Sequence, residues 1–143
     1  MPKIHRELVV SYTPEQMYQL VNDVDSYPNF LPGCVSRRVL ERTHESVSAS
    51  LSFVKGGMQK SFSTKNTLMP PNKIKMSLLE GPFKYLTGVW EFVAVPEGGC
   101  LVVLDLEFEF SNRILSMMFG PVFHHVAQSM VGSFCQQAQQ VYA

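Results

Sequence analysis

Asp105, Glu107 and Glu109 recur at every second position, a spacing that puts three carboxylates on one face of an extended strand. Paired carboxyls do general acid and base work in glycosidases and aspartic enzymes. The opposite phase holds Leu106, Phe108 and Phe110, so the same alternation predicts that the acids face water while the aromatic side enters a core. His124 and His125 are adjacent, about 100° apart on a helix, and cannot share a metal as an i, i+4 pair does. That leaves them as surface or interface side chains, or singly as a ligand or base. Cys34, Cys100 and Cys135 are odd in number, far apart and without CxxC spacing. They read as buried thiols, with neither a disulfide framework nor a zinc site. No glycine-rich phosphate loop, GxSxG elbow or HExxH pair is present.

The remaining chemistry is that of binding. Between Met58 and Leu68, the residues Lys60, Thr64 and Asn66 run in phase with the apolar Met58, Phe62 and Leu68. A packed core avoids such a mixture unless its polar groups find partners. Two readings follow: these three side chains line a ligand cavity, or an edge position or bulge reverses the phase and leaves them outside. Charge is also unevenly placed. Residues 37 to 75 hold eight basic side chains, Arg37, Arg38, Arg42, Lys55, Lys60, Lys65, Lys73 and Lys75, against Glu41 and Glu45. If those strands are neighbours, their wet face is a basic plate suited to phosphate backbones or an acidic membrane surface; an ordinary solvated face is the alternative.

The elements that would position these groups follow from periodicity and punctuation. Residues 3–11 read as a strand, and Thr13-Pro14-Glu15-Gln16 supplies a capping box with proline at the first helical position. Met17, Leu20, Val21 and Val24 give that helix one apolar face before Asp25-Ser26-Tyr27-Pro28, and a second short helix holds Tyr27, Phe30 and Leu31. From Cys34 to Phe110 the period becomes two. Breaks at Gly56-Gly57, Pro70-Pro71-Asn72, Gly81-Pro82 and Pro96-Glu97-Gly98-Gly99 predict about six strands joined in sequence. Ser111 or Asn112 then caps a helix running to about Tyr142, bent near Gly120-Pro121, whose apolar stripe includes Leu115, Phe119, Val122, Val126, Met130 and Phe134. This order predicts an α+β fold, an antiparallel sheet of about seven strands curled around the last helix.

The 143 residues suit one domain spanning 1–143. With 45% hydrophobic and 17% charged residues the chain is apolar, yet no run reaches the length of a membrane span. The N-terminus lacks the basic region and apolar stretch of a secretory signal, so a cytoplasmic protein is expected.

Several elements together carry a family resemblance: Gln16-Met17-Tyr18-Gln19-Leu20-Val21-Asn22-Asp23-Val24, then Ser26-Tyr27-Pro28 and Phe30-Leu31-Pro32-Gly33-Cys34. Gly81-Pro82-Phe83-Lys84 with Leu86, Gly88, Trp90 and Phe92, and Phe108-Glu109-Phe110 with Asn112, extend it over nearly the whole chain. The sequence resembles the coenzyme Q-binding branch of the START-like, polyketide cyclase-like proteins, which includes the bacterial ribosome association toxins. It departs from the toxin pattern at Gln137, where an Arg is common, and at His124, where a basic residue is.

The resemblance implies a helix-grip fold with a cavity between sheet and long helix. It also implies two non-enzymatic activities, binding ubiquinone to support respiration and binding the large ribosomal subunit to block subunit joining; a cyclase-type enzyme is the further alternative. No cofactor is required, and ubiquinone or another apolar molecule is the bound ligand to expect. The expected lining is Phe30, Leu31, Phe62, Met76, Trp90, Phe108, Met118, Phe119, Val122, Met130 and Phe134, with Tyr27, Lys60 or Asn66 placed to hydrogen-bond a quinone oxygen. Arg37, Arg38, Lys65, Lys73 and Lys75 are the expected ribosome or phosphate contacts, and a peripheral membrane contact fits the same charge.

Overall fold

In the computed structural model, residues 3–55, 57–70 and 72–142 are described, so Gly56 and Pro71 of the expected turns lie outside the described residues. Strand β1 spans Lys3–Val10, helix α1 Pro14–Asn22, and a 3-10 helix Val24–Asn29. Six strands follow: β2 Cys34–Arg42, β3 Ser46–Lys55, β4 Met58–Met69, β5 Lys73–Glu80, β6 Phe83–Ala94 and β7 Cys100–Phe110. Helix α2, Arg113–Val141, ends the chain.

All seven strands form one antiparallel sheet in the order β1-β7-β6-β5-β4-β3-β2. Strands β2 to β7 therefore meander, each pairing with the next, and β1 closes on β7 through Lys3↔Glu107 to Val10↔Cys100. Side-chain alternation sorts the faces: Cys100, Val102, Leu104, Leu106, Phe108 and Phe110 of β7 are buried, while Asp105 is exposed. Gly99 is needed at the β6–β7 turn because its φ of +92° is left-handed and a Cβ there would meet the Val10 carbonyl oxygen at 2.0 Å.

The helix starts are set by side chains. The Thr13 hydroxyl accepts from the Gln16 backbone N–H and the Gln16 side chain accepts from the Thr13 N–H, the reciprocal pair foreseen in the sequence. Asn112 Oδ1 accepts from the Leu115 N–H at 2.9 Å and starts α2. Pro121 lies inside α2, which continues as one helix through it to Val141. Its buried face, Gly120, Val126, Ala127, Val131, Phe134, Cys135 and Ala138, lies along the sheet. At the far end the Tyr142 hydroxyl donates to the Gln16 carbonyl at 2.9 Å and ties α2 to α1.

Candidate ligand cleft

The mixed phase of β4 is the feature that shapes the interior. β4 lies between β3 and β5, not at an edge. Its one irregularity against β5 takes the extra residue on the partner, since Ser63 pairs with Glu80 and Thr64 with Leu78. The alternation of β4 is thus unbroken, and Phe62, Thr64 and Asn66 all turn toward α2. Thr64 and Asn66 are buried, which overturns the outside reading for both; Lys60, two residues before Phe62 on the same face, is exposed.

A narrow cleft runs between sheet and helix in two sections. The deep section, with a cavity volume of about 50 Å3, is bounded by Tyr27, Leu51, Phe53, Phe62, Thr64, Asn66, Met76, Leu86, Trp90, Leu106, Phe123, Val126 and Met130, together with Val24, Ala49 and Ala127. The outer section, about 30 Å3, is bounded by Lys60, Pro82, Phe83, Phe110, Phe119 and Val122 and shares Phe53, Phe62, Phe123 and Val126 with the deep one. The Lys60 ammonium lies 5.3 Å from the Phe119 ring centroid beside this outer section.

Polar groups in the deep section are few. The Thr64 hydroxyl donates to Asn66 Oδ1 at 3.5 Å, and that is the one side-chain hydrogen bond of either residue among the described residues. A buried amide with so little pairing retains hydrogen-bonding capacity toward the cleft. Tyr27 differs, because its hydroxyl already donates to the Val21 carbonyl and burial raises its pKa. It is an anchor of the fold, and its donor is not open to a quinone oxygen.

The expected lining is therefore only partly brought together. Tyr27, Lys60, Phe62, Asn66, Met76, Trp90, Phe119, Val122 and Met130 do border the cleft. Phe134 does not: it packs edge to face on Tyr27 at 5.2 Å, Phe30 at 5.1 Å and Trp90 at 5.3 Å, a cluster that plugs the inner end. Phe30 belongs to that plug, Leu31 to the buried core, and Phe108 is buried under Phe83 and Phe123. Met118 is a correction of direction, since helical spacing turns it outward, 48% exposed. Phe123 was missed, although its spacing of four from Phe119 and three from Val126 places it on the same helix face.

The other titratable groups fall outside the cleft. Asp105, Glu107 and Glu109 stand on the outer face, with Asp105 2.5 Å from His5 Nδ1 and Glu109 3.6 Å from Lys84 Nζ. His124 is half-buried with its ring 5.4 Å from Phe108, and His125 is exposed. Burial pushes the Cys34, Cys100 and Cys135 thiols up to about 11, so they remain protonated packing groups. Among the described residues no cluster of His, Cys, Asp and Glu could hold a metal ion.

The basic plate is smaller than the sequence suggests. Lys65 pairs with Ser77, Lys75 with Thr67 and Lys73 with Met69, so the three lysines sit together on the outer face of β4 and β5. Arg38, opposite Ser50, shares that face. Arg37 does not: it pairs with the inward Leu51, and its Nε lies 3.0 Å from Asp25 Oδ1, where Arg42 also reaches. Arg37 and Arg38 are consecutive in a regularly paired stretch of β2, between its irregularities at Cys34/Ser36 and Val39/Glu41, so ordinary alternation sends them to opposite faces.

Comparison with known proteins agrees with this architecture. The family model described as polyketide cyclase / dehydrase and lipid transport matches residues 10–135. The chain belongs to that family. Over all 143 residues it is 46% identical to the persistence and stress-resistance toxin PasT of Escherichia coli, covering 90% of that protein. It is 45% identical over 142 residues to the ribosome association toxin RatA of Vibrio cholerae, covering 99% of each. A more distant relative is the mitochondrial coenzyme Q-binding protein COQ10 of Drosophila melanogaster, 26% identical over 92% of this chain and 56% of that one. Among solved structures, the Zhui aromatase/cyclase from a Streptomyces species shares the fold at a TM-score of 0.88 and 14% identity, covering 99% of this chain and 96% of that one. An 18 kDa protein from Caulobacter crescentus matches at 0.76 and 29% identity, covering 99% of each chain. No helix among the described residues is long and apolar enough to cross a membrane.

Proposed function

We propose that this chain is a non-enzymatic binding protein that takes an isoprenoid quinone, of ubiquinone type, into the cleft between sheet and α2. The observation that carries this reading is the Thr64–Asn66 pair, two buried polar side chains with one long mutual hydrogen bond in a wall otherwise apolar. A quinone supplies a carbonyl acceptor for the Asn66 amide and a tail for the aromatic walls. At about 50 Å3 the deep section is far below the ~300 Å3 at which ligand pockets begin, so it widens as ligand enters. Met76 and Met130, unbranched and adaptable, are the side chains that yield. The cleft walls hold no carboxylate or imidazole among the described residues; their ionisable groups are Lys60 at the outer section and Tyr27, whose hydroxyl is taken up by the Val21 carbonyl, a lining that favours binding over cyclase chemistry. The coenzyme Q-binding name of a distant relative points the same way.

Trp90, the only Trp in the chain, borders the deep section, so quinone quenching reports occupancy. Titration with a short-chain ubiquinone is expected to quench Trp90 saturably at one equivalent. Quenching that rises linearly without saturation overturns the reading.

A second activity, ribosome association, is favoured by the names of relatives 45% identical over the full chain, and the family resemblance implies that the contact is with the large subunit and blocks subunit joining. The outer strip of Arg38, Lys65, Lys73 and Lys75 suits it, because neighbouring cations on a sheet face can follow a phosphate backbone. The cleft and this strip lie on opposite faces, so one protein can serve both. Co-sedimentation with purified large subunits across a salt series tests it; association independent of salt excludes the strip as the contact.

A further inference from the structure

Ile114, Met117 and Met118 are 68%, 72% and 48% exposed, and with the exposed Pro121 they follow i, i+3, i+4, i+7 along the first turns of α2. Large apolar side chains gathered at that spacing mark an interaction face, where scattered ones would need no explanation. We infer that this face of α2 docks on an anionic lipid bilayer. The inference rests on the quinone-type reading of the cleft.

Three observations select a lipid surface over another occupant. After Arg113 no Lys, Arg, Asp or Glu occurs in α2, so embedding this face strips water from no fixed charge. The cations beside it, Arg113 in the first turn and Lys60 over the Phe119 ring, suit anionic headgroups, with Glu80 the one carboxylate in the depression that Lys60 shares with Leu115. Finally, the same helix turns that present Ile114, Met117 and Met118 outward present Phe119 and Val122 to the outer section of the cleft. An isoprenoid quinone is held in bilayers and scarcely in water. A face that lays the outer section against the membrane brings it to the source of its ligand.

The test uses quinone-free vesicles of phosphatidylglycerol with phosphatidylethanolamine, and of phosphatidylcholine alone. The full chain is expected to co-sediment with the anionic vesicles and less with the neutral ones. Ile114→Asp and Met117→Asp are each expected to lower vesicle affinity about tenfold, because each removes an apolar side chain from the embedded face. Gln140→Asp, at the far end of the helix, should leave binding unchanged. As a second readout, Met117→Trp in a Trp90→Phe background, whose cooperative melting is checked first because Trp90 is buried, should shift its emission to the blue when vesicles are added. Unchanged emission, or aspartate variants that bind vesicles like the parent, overturns the inference; so does loss of self-association instead of vesicle binding, which assigns the face to a second copy. Vesicle binding with no Trp90 quenching by quinone would leave the docking face standing and remove the cleft reading, whereas quenching in dilute detergent without vesicle binding removes the docking face alone.

Discussion

Phe62 of β4 and Phe123 of α2 meet edge to face, ring centroids 6.0 Å apart, and stand between the outer and deep sections of the cleft. Each ring borders both sections, so their contact divides one channel into two small voids. Phe62 also stacks on Phe53 at 5.8 Å and meets Phe83 edge to face at 5.8 Å, which holds it across the channel.

Removing that ring should join the voids. Phe62→Ala is expected to destabilise the fold by about 2–3 kcal/mol, below the range for a fully buried Phe because Phe62 is half-buried. It should also speed quinone entry, read by stopped-flow quenching of Trp90. Phe62→Glu, which places a carboxylate in an apolar channel, should abolish quinone binding; unchanged affinity would exclude the channel as the site.

The polar pair makes a sharper prediction. Asn66→Leu removes a group from a wall that pairs it poorly, so thermal stability should hold or rise slightly. Quinone affinity should fall by about tenfold, the worth of one hydrogen bond in a dry site. An Asn66→Leu protein that melts much lower, with affinity intact, would make the amide structural.

On the outer face, Lys65, Lys73 and Lys75 are expected to contribute jointly to salt-dependent ribosome association. Replacing Lys73 and Lys75 by Gln should flatten the log-log salt slope by about 0.7–0.9 for each phosphate no longer neutralised. Arg37→Gln should leave that slope alone, since its guanidinium is held by Asp25 on the inner side, 3.0 Å away. A slope altered by Arg37→Gln and insensitive to the lysines would reverse the assignment of faces.

Much of this was legible before the structure. Strict alternation in β7 and the capping box at Thr13 fixed element type and direction, because each depends on residues adjacent in sequence. The helix-grip arrangement followed from element order and family resemblance. The interior of the cleft was less legible. Whether Thr64 and Asn66 face in or out depends on which strand carries the extra residue at the β4–β5 irregularity, a property of pairing that no spacing in β4 records. Arg37 and Arg38 differ: adjacent residues of one strand face opposite sides, so alternation in β2 was enough to separate them. Phe134 and Phe108 were identified as interior but not as plug and floor, because membership of a core leaves open which rings fill the space between elements.

The His5–Asp105 contact links edge strand β1 to β7 and gives the chain a pH-dependent feature. The hydrogen bond to Asp105 and its charge raise the His5 pKa above 6.5, with a smaller contribution from Glu7. A raised folded-state pKa stabilises the fold fully below 6.5, and that contribution is lost as pH rises through the folded value. NMR titration should place His5 above 6.5, and Asp105→Asn should return it toward that value while removing the pH dependence of β1 amide protection. A His5 that titrates identically in both proteins would exclude the pairing in solution.

The most direct test of a lipid-binding cleft is native mass spectrometry of the protein purified from its own cells without detergent, with organic extraction to identify what it carries. A one-to-one complex whose extract yields an isoprenoid quinone is the expected result. Bare protein with no extractable lipid, from cells whose membranes contain quinone, would contradict the cleft as a binding site and leave the outer lysine strip as the working surface.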